Sequence, residues 1–197
     1  MNLLVARHYL VEIAARWRGL WWRLLAGSAS ASGIGRGARI HRGFNLAFSR
    51  GSRGLVVGPG LHCRSWCSIV VDGGRLSIGD NLFMNNRCSL NCQSQIEIGD
   101  DCLLGEGVAI YDHDHDFSKP EKFRLSGFRS APVKIGNNVW LGSNVIVLKG
   151  STIGDNVVVA ANSVIKGDVP ADTLVVPSSR DKLVLLPLRK PGEAQRS

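Results

Sequence analysis

Two histidines and three aspartates alternate in the run Asp112-His113-Asp114-His115-Asp116, inside the stretch "AIYDHDHDFSKPEKFRLSGFRSAP" that begins at residue 109. Histidine suits the removal of a proton from an attacking group, because its ordinary pKa lies closest to neutrality. Neighbouring carboxylates can orient such an imidazole and raise its pKa. The same side chains could instead hold a metal ion, or form a solvated loop without chemistry.

A six-residue repeat surrounds this run and has to position it. The repeat reads "IGDDCL", "LGEGVA" and "IYDHDH", then resumes as "IGNNVW", "LGSNVI", "VLKGST", "IGDNVV", "VAANSV" and "IKGDVP". Polar pairs rich in Gly, Asn and Asp follow the first residue and turn the chain, since these residues tolerate a positive φ. An aliphatic residue opens every hexad: Ile98, Leu104, Ile110, Ile135, Leu141, Val147, Ile153, Val159 and Ile165.

A period of six fits neither an α-helix nor a half-buried strand. It indicates short strands that turn a corner every six residues, three to a coil, with the coils stacked into a parallel β-helix. We expect this domain to span residues 33–170, with 33–75 as an atypical opening because the pattern there is less regular. The residues between Ile110 and Ile135 are expected to leave a corner as a protruding loop at about 112–131.

The two ends of the chain differ from the repeat. Residues 1–27 are predicted to form an amphipathic helix, which Arg and Glu side chains prevent from spanning a membrane. This helix could pack on the repeat domain, or residues 1–26 could lie on an anionic membrane surface. Residues 171–197 are predicted to be an extension with one apolar strand and a disordered end.

The charge and the cysteines narrow the classes of protein. The net charge is +8, but residues 33–75 carry +6 and residues 76–131 carry −4, and no nucleic-acid-binding motif accompanies the basic part. We therefore expect no nucleic acid as a partner. An odd number of cysteines, at 63, 67, 88, 92 and 102, favours reduced thiols. The expected location is the cytoplasm, with the inner face of the cytoplasmic membrane as a peripheral site.

The segments "IGDDCLLGEGVAIY" and "PVKIGNNVWLGSNVIVLKGSTIGDNVVVAANSVI", with "DVP" after them, resemble the hexapeptide-repeat acyltransferases. The resemblance covers residues 78–170 and is strongest to maltose and galactoside O-acetyltransferases. It implies an all-β fold, a left-handed parallel β-helix, and a homotrimer with active sites between subunits. It also implies acetyl transfer from acetyl-CoA to a hydroxyl of a saccharide, without a metal. A lipid-linked or exopolysaccharide precursor becomes an attractive acceptor if the helix binds membrane.

The resemblance carries roles to individual residues. Counting forward from "IGD" without gaps, the family's general base falls on His115, and His113 is a second candidate. The backbone N–H of Ser143 matches the donor that stabilises the oxyanion. Trp140 matches a tryptophan near the acceptor and the thioester. The remaining candidates are Asn85 and Asp112 for the acceptor, and Gly142, Ala161 and Lys166 for acetyl-CoA. Arg180 is a candidate for the CoA phosphates on its charge alone.

Two departures from the family pattern keep alternatives open. Lys166 lies one place early in "KGDVP", and "VVPSSRDK" replaces the usual tail that helps to hold CoA. A non-catalytic β-helix scaffold recruited to membrane is therefore one alternative, and it predicts no acetyl-CoA binding. The other is a zinc-dependent hydrolyase of the γ-carbonic-anhydrase type, which needs three converging histidines. His8, His41 and His62 lie far from the loop in sequence, and nothing in the sequence brings them to it.

Overall fold

Three parallel sheets form the sides of a β-helix of about six turns, with one helix at its N-terminal end. The structure, a computed structural model, describes residues 3–26, 33–49, 51–118, 122–177 and 183–187. The chain passes through sheets A, B and C in that order, and one such circuit is called a coil below. The AB, BC and CA corners are the turns between successive sheets. The predicted β-helix is confirmed.

The strands are short, as a six-residue period requires. Sheet A contains β1 (Gly33–Ile34), β4 (Gly54–Val57), β7 (Arg75–Ile78), β10 (Gln95–Ile98), β15 (Val133–Ile135), β18 (Thr152–Ile153) and β21 (Asp168–Val169). Sheet B contains β2 (Arg39–Ile40), β5 (His62–Cys63), β8 (Phe83–Met84), β11 (Leu103–Leu104), β16 (Trp140–Leu141), β19 (Val158–Val159), β22 (Thr173–Pro177) and β23 (Leu183–Pro187). Sheet C contains β3 (Asn45–Phe48), β6 (Ser68–Val71), β9 (Ser89–Cys92), β12 (Ala109–Tyr111), β17 (Ile146–Val147) and β20 (Val164–Ile165).

The core is a set of aliphatic ladders inside the three sheets. All nine aliphatic residues that open the predicted hexads are buried. They stack in register, as in the series Met84, Leu104, Leu141 and Val159 on sheet B. Burial of each such side chain contributes about 1.5–3 kcal/mol, so the ladders stabilise the coils without help from a helix. The five cysteines are also buried in this interior, and all are free thiols.

The opening coils belong to the same ladder as the rest. Residues that pair across one coil are 21 positions apart for Val57 and Ile78, but 18 positions apart for Ile135 and Ile153. The earlier coil is therefore three residues longer. The extra length lies in four-residue strands such as β4 and β7, and it explains why the hexad pattern is unclear over residues 33–75. The parallel ladder also continues past residue 170, because β22 pairs with β19.

The N-terminal helix α1 (Leu3–Ala26) covers the first coil. Arg18 Nε donates to the Ile40 carbonyl at 2.8 Å, and Trp22 meets the Phe44 ring edge-on at 5.5 Å. Gly19 allows α1 to lie this close to the first coil, because a Cβ at residue 19 would lie 2.0 Å from the Ala38 carbonyl oxygen.

The opposite face of α1 is apolar and exposed. It presents Leu10, Ile13, Trp17, Trp21 and Leu24 to solvent, with Trp17 69% exposed. No helix within the described ranges is both long and apolar enough to cross a membrane.

The predicted loop is a small antiparallel ribbon, residues 113–130. Strands β13 (His113–His115) and β14 (Phe128–Ser130) pair, with His115 opposite Phe128, and a 3₁₀ turn spans Phe123–Leu125. The ribbon leaves and rejoins the β-helix at one CA corner, where the Ala131 N–H donates to the Asp112 carbonyl at 2.8 Å. The insertion therefore leaves the parallel ladders intact, as predicted.

Beyond the last coil, β23 folds back antiparallel on β22. It corresponds to the apolar strand predicted in the extension. Arg180 and the end of the chain from residue 188 lie outside the described residues.

Candidate active site

The two candidate bases lie on one face of the ribbon. Residues two apart in a strand point the same way, so His113 and His115 both face Phe128. The ring centroids are 5.3 Å apart for His113, edge-on, and 4.5 Å apart for His115. Asp114 points the other way, and its Oδ2 lies 3.1 Å from Lys149 Nζ. Phe128 and Lys149 were not among the residues expected from the sequence, since their roles depend on how the ribbon folds back.

Asp112 is fully buried at the base of the ribbon. Its carboxylate accepts hydrogen bonds from the N–H groups of Gln93, Ser94 and Gln95 at 2.7–2.8 Å. Its Oδ1 also lies 2.9 Å from Nδ1 of His113. Asp112 is predicted from the sequence to contact the acceptor, but in the structure it is buried and bonded to backbone N–H groups and to His113.

His115 is exposed, and its ring has no carboxylate partner among the described residues. The expected neighbours are engaged elsewhere: Asp114 with Lys149, and Asp116 with the N–H and hydroxyl of Ser118. The structure therefore shows a carboxylate–imidazole pair at His113 and an open, solvent-facing imidazole at His115.

The Ser143 amide differs from its counterparts at the AB corner. There, Asp100 donates its N–H to Asn137 Oδ1 of the next coil at 2.9 Å, and Asn137 donates its N–H to Asp155 Oδ1. At the BC corner, Ala161 occupies the corresponding place beside Ser143 and offers no acceptor. The exposed Ser143 N–H has no partner within the described residues. An alanine three places into the following hexad is a sequence signal for this free amide.

Two glycines at this corner allow the backbones of neighbouring coils to approach closely, because neither has a Cβ. A Cβ on Gly105 would lie 2.6 Å from the Ser143 nitrogen, and a Cβ on Gly142 would lie 2.6 Å from the Ala161 nitrogen. Trp140, on the adjoining strand β16, is 53% exposed. Trp140, Gly142, Ser143 and Ala161 thus form one surface along the BC corner.

The remaining candidates are divided between two corners. Asn85 lies on the BC corner, where its Oδ1 accepts from the Asn86 N–H at 2.9 Å. Lys166 follows β20, so it lies on the CA corner together with the ribbon, and its side chain is exposed.

The histidines and the Ser143 amide do not converge within one chain. The ribbon leaves the CA corner, Ser143 lies on the BC corner, and the whole width of sheet C separates them. Closed ring-shaped assemblies bring different surfaces of identical subunits together. A site that uses both groups therefore requires a second copy of the chain.

Comparison with known proteins supports the resemblance found in the sequence. Residues 132–167 match the family described as bacterial transferase hexapeptide (six repeats). The chain is 32% identical over 146 residues to a protein of Mycobacterium tuberculosis named "Probable acetyltransferase", covering 73% of this chain and 46% of the relative. It is 34% identical over 103 residues to the galactoside O-acetyltransferase of Escherichia coli, covering 52% of this chain and 50% of that protein.

A solved structure is similar as well. A galactoside acetyltransferase in complex with coenzyme A superposes with a TM-score of 0.60 at 27% identity, covering 68% of this chain and 65% of that one. The chain spans about half the length of the curated relatives that it matches. The predicted resemblance to hexapeptide-repeat acyltransferases is confirmed by these matches.

Proposed function

We propose that this chain, which carries the hexapeptide repeat of bacterial transferases, is an acetyl-CoA-dependent O-acetyltransferase. The observation that carries the proposal is the unpartnered Ser143 amide, on a bare glycine-lined corner beside Trp140. A preorganised N–H of this kind is what the developing oxyanion of acyl transfer needs. The exposed imidazole of His115 supplies the other requirement, a base. The acetyltransferase names of the relatives point to the same chemistry.

The chemistry follows from these two groups. His115 removes the proton from an acceptor hydroxyl as its oxygen attacks the thioester carbonyl of acetyl-CoA. The carbonyl oxygen becomes negative and accepts a hydrogen bond from the Ser143 N–H. Collapse of this intermediate breaks the C–S bond, and the CoA thiolate takes the proton back from the imidazolium. A positioned base contributes roughly 10²–10⁴-fold in rate, and one oxyanion donor roughly 10²–10³-fold.

His113 and Asp112 have a supporting part in this scheme. The buried carboxylate of Asp112 fixes both the CA corner and the His113 ring, and His113 in turn packs against Phe128. Phe128 is also the platform for the His115 ring. We therefore assign His113 to positioning, with direct proton transfer as the alternative role that variants at this position test.

The proposed enzyme is a homotrimer whose subunits share each site. The ribbon of one subunit would reach the BC corner of its neighbour. This arrangement would bring the histidines of one subunit to the Ser143 amide of the next. The ribbon protrudes from the β-helix and His115 on it is exposed, as such an arrangement requires.

The proposed acceptor is a saccharide hydroxyl. A relative that acts on galactosides supports this choice. The acceptor would enter between the exposed His115 and Trp140, since sugar rings stack well on indole faces. A lipid-linked sugar is the form we favour if α1 contacts membrane.

We propose that α1 associates peripherally with a membrane. We also propose that the protein is cytoplasmic. Its exposed apolar face carries Trp17 and Trp21, and Arg16 and Arg23 lie on the same helix. Such a helix lies in the interface of an anionic bilayer. Co-sedimentation with phosphatidylglycerol vesicles should be strong for the wild type and weak for a Trp17→Ala/Trp21→Ala variant. A wild type that stays in the supernatant would contradict the proposal.

Acetyl-CoA binding and background thioester hydrolysis test the enzymatic proposal. We expect calorimetric binding in both wild type and His115→Ala, with hydrolysis lost only in the variant by roughly 10²-fold or more. His113→Ala should bind acetyl-CoA and lose less activity than His115→Ala. A larger loss at His113 would transfer the role of base to that residue. No binding by the wild type would favour the scaffold.

Two variants at Ser143 distinguish a role of its backbone N–H from a role of its hydroxyl. Ser143→Ala keeps the N–H and should retain hydrolysis close to that of the wild type. Ser143→Pro removes the N–H and should lower hydrolysis by roughly 10²–10³-fold. Circular dichroism of both variants checks the fold. Equal loss in the two variants would assign the role to the hydroxyl.

A further inference from the structure

Two histidines outside the proposed active site meet beneath helix α1. His41 follows β2 and His62 begins β5, so they occupy neighbouring coils of sheet B. Their Nε2 atoms are 3.2 Å apart, and Glu12 of α1 places Oε1 3.5 Å from Nε2 of His41. The sequence did not suggest this meeting, because the irregular opening coils hide the one-coil spacing between the two residues.

The geometry of these three side chains is that of a metal site. Their donor atoms all lie within 4.8 Å of one another. In a tetrahedral zinc site with bonds of about 2.0–2.1 Å, neighbouring ligand atoms are separated by about 3.4 Å. Two of the three separations, 3.2 Å between the imidazoles and 3.5 Å between Glu12 and His41, fall on either side of that value. Two imidazoles and one carboxylate also form a recognised zinc ligand set with one open position.

We propose that Glu12, His41 and His62 bind one Zn²⁺ per chain, through the carboxylate of Glu12 and the Nε2 atoms of the two imidazoles. The donors come from α1 and from two coils, so the ion fastens the helix to the β-helix. The fourth position opens to a cavity of about 260 Å³ that Arg64, Ser65 and Asn86 help to line, and a water molecule can complete the coordination there.

The surroundings leave both imidazoles able to donate lone pairs. Burial, and then Arg39, lower the pKa of His62 to about 4. Burial is also the main cause of the lowered pKa of His41, with Arg18 and Arg64 adding to it. Neutral imidazole is the form that binds zinc. The same arginines repel a dication, so the affinity should be lower than at a site without cations.

The cluster is separate from the proposed catalytic residues. His62 shares the outward column of sheet B with Phe83, Leu103 and Trp140, each one rung further along. Three rungs at about 4.8 Å put His62 roughly 14 Å from Trp140. The ion therefore has a structural role, and acetyl transfer does not require it.

Zinc titration of the chelator-treated, full-length protein tests the site. We expect one Zn²⁺ per chain by calorimetry, and a rise in the melting temperature on adding zinc. Co²⁺ should give the visible absorption of a four-coordinate site. His41→Gln and His62→Gln should each weaken binding by more than tenfold, since losing a residue that only hydrogen-bonds to a metal ligand already costs roughly 10–100-fold. Glu12→Gln, which leaves the core untouched, should also weaken binding.

Two matched variants give the proposal its controls. His115→Gln removes a histidine from the ribbon, and Glu106→Gln removes an exposed carboxylate paired with Arg87. Both should keep one Zn²⁺ per chain and the zinc-dependent rise in melting temperature. Trypsin should cut α1 faster after chelation in the wild type, and at one rate with or without zinc in His62→Gln.

Several results would overturn the proposal. The wild type could bind no zinc, in which case the two imidazoles share only a hydrogen bond. Binding could survive in both His41→Gln and His62→Gln, or disappear in His115→Gln, which would move the ion to the ribbon. None of these outcomes depends on acetyl-CoA binding, so they leave the enzymatic proposal to its own test.

Discussion

Asp112 shows how one buried charge can organise the base of a protruding ribbon. The carboxylate accepts three backbone N–H groups from the coil below and holds the His113 ring. At the AB corner, the exposed side chains of Asn137 and Asp155 each accept only one backbone N–H. A carboxylate bonded to three backbone donors therefore lies at the point where the ribbon leaves the β-helix.

Asp112→Asn should destabilise the protein by about 2 kcal/mol, because an amide NH₂ would face N–H donors that then lose their acceptor. Background acetyl-CoA hydrolysis should fall with it, since the His113 ring loses its partner. Urea unfolding measures the stability. Asp114→Asn is the control: its exposed pair with Lys149 should contribute no more than about 1 kcal/mol. Similar losses in both variants would contradict the positioning role.

The cysteines should not react with thiol reagents in the native protein. Burial raises the pKa of Cys63 and Cys102, and burial with the nearby Asp112 raises the pKa of Cys92 to about 12. A hydrogen bond with Cys88 lowers the pKa of Cys67. Cys67 is nevertheless fully buried in the core, where a reagent does not reach it. At about pH 8, where a free thiol is partly ionised, Ellman's reagent should find almost none. Denaturant should release all five, and fast native reaction would contradict this.

At the level of the elements, the corners decide which backbone groups are free. At the AB corner the amides of Asp100 and Asn137 bond to side chains of the next coil, whereas at the BC corner the Ser143 amide has no such acceptor. Gly105 has a specific part in this, because the Ser143 nitrogen lies only 2.6 Å from where a Cβ on residue 105 would be.

Gly105→Ala should lower both stability and activity. The added Cβ would meet backbone atoms at 2.6–2.7 Å, which must shift. We expect a loss of about 1–3 kcal/mol, as for overpacking elsewhere, and slower acetyl-CoA hydrolysis because the amide moves. Gly33→Ala is the matched control, since no heavy atom lies within 4 Å of its Cβ position. Thermal unfolding of the two variants gives the comparison, and equal melting temperatures would refute it.

Elements and site residues differed in how well they could be predicted. The hexad encodes which side chains point inward, so the opening aliphatics and the place of the insertion were predictable from the sequence. The coil length over residues 33–75 was not, because four-residue strands break the period. The partners of Asp112, and the meeting of His41 with His62, depend on which residues stack across coils. A one-dimensional period does not contain that information.

For the whole molecule, the division of the site between two corners makes a sharp prediction. His115→Ala and Ser143→Pro should each be nearly inactive. Co-expressed with different tags and purified by both, they form mixed rings in which one junction pairs an intact histidine with an intact amide. About one third of the wild-type activity should return in a trimer of this kind. No recovery, with mixed assemblies demonstrated, would place both groups in one subunit.

The stacking of the coils also bears on how the chain is made. Nearly every strand pairs with the strand one coil earlier, as Cys63 does with Ile40 and Ile153 with Ile135. The ribbon is the one long detour among the described coils, and it closes on its own corner. A ribosome therefore delivers each new coil directly onto a finished template, beginning with the one that α1 covers. Folding can keep pace with synthesis, because no segment has to wait for a distant partner.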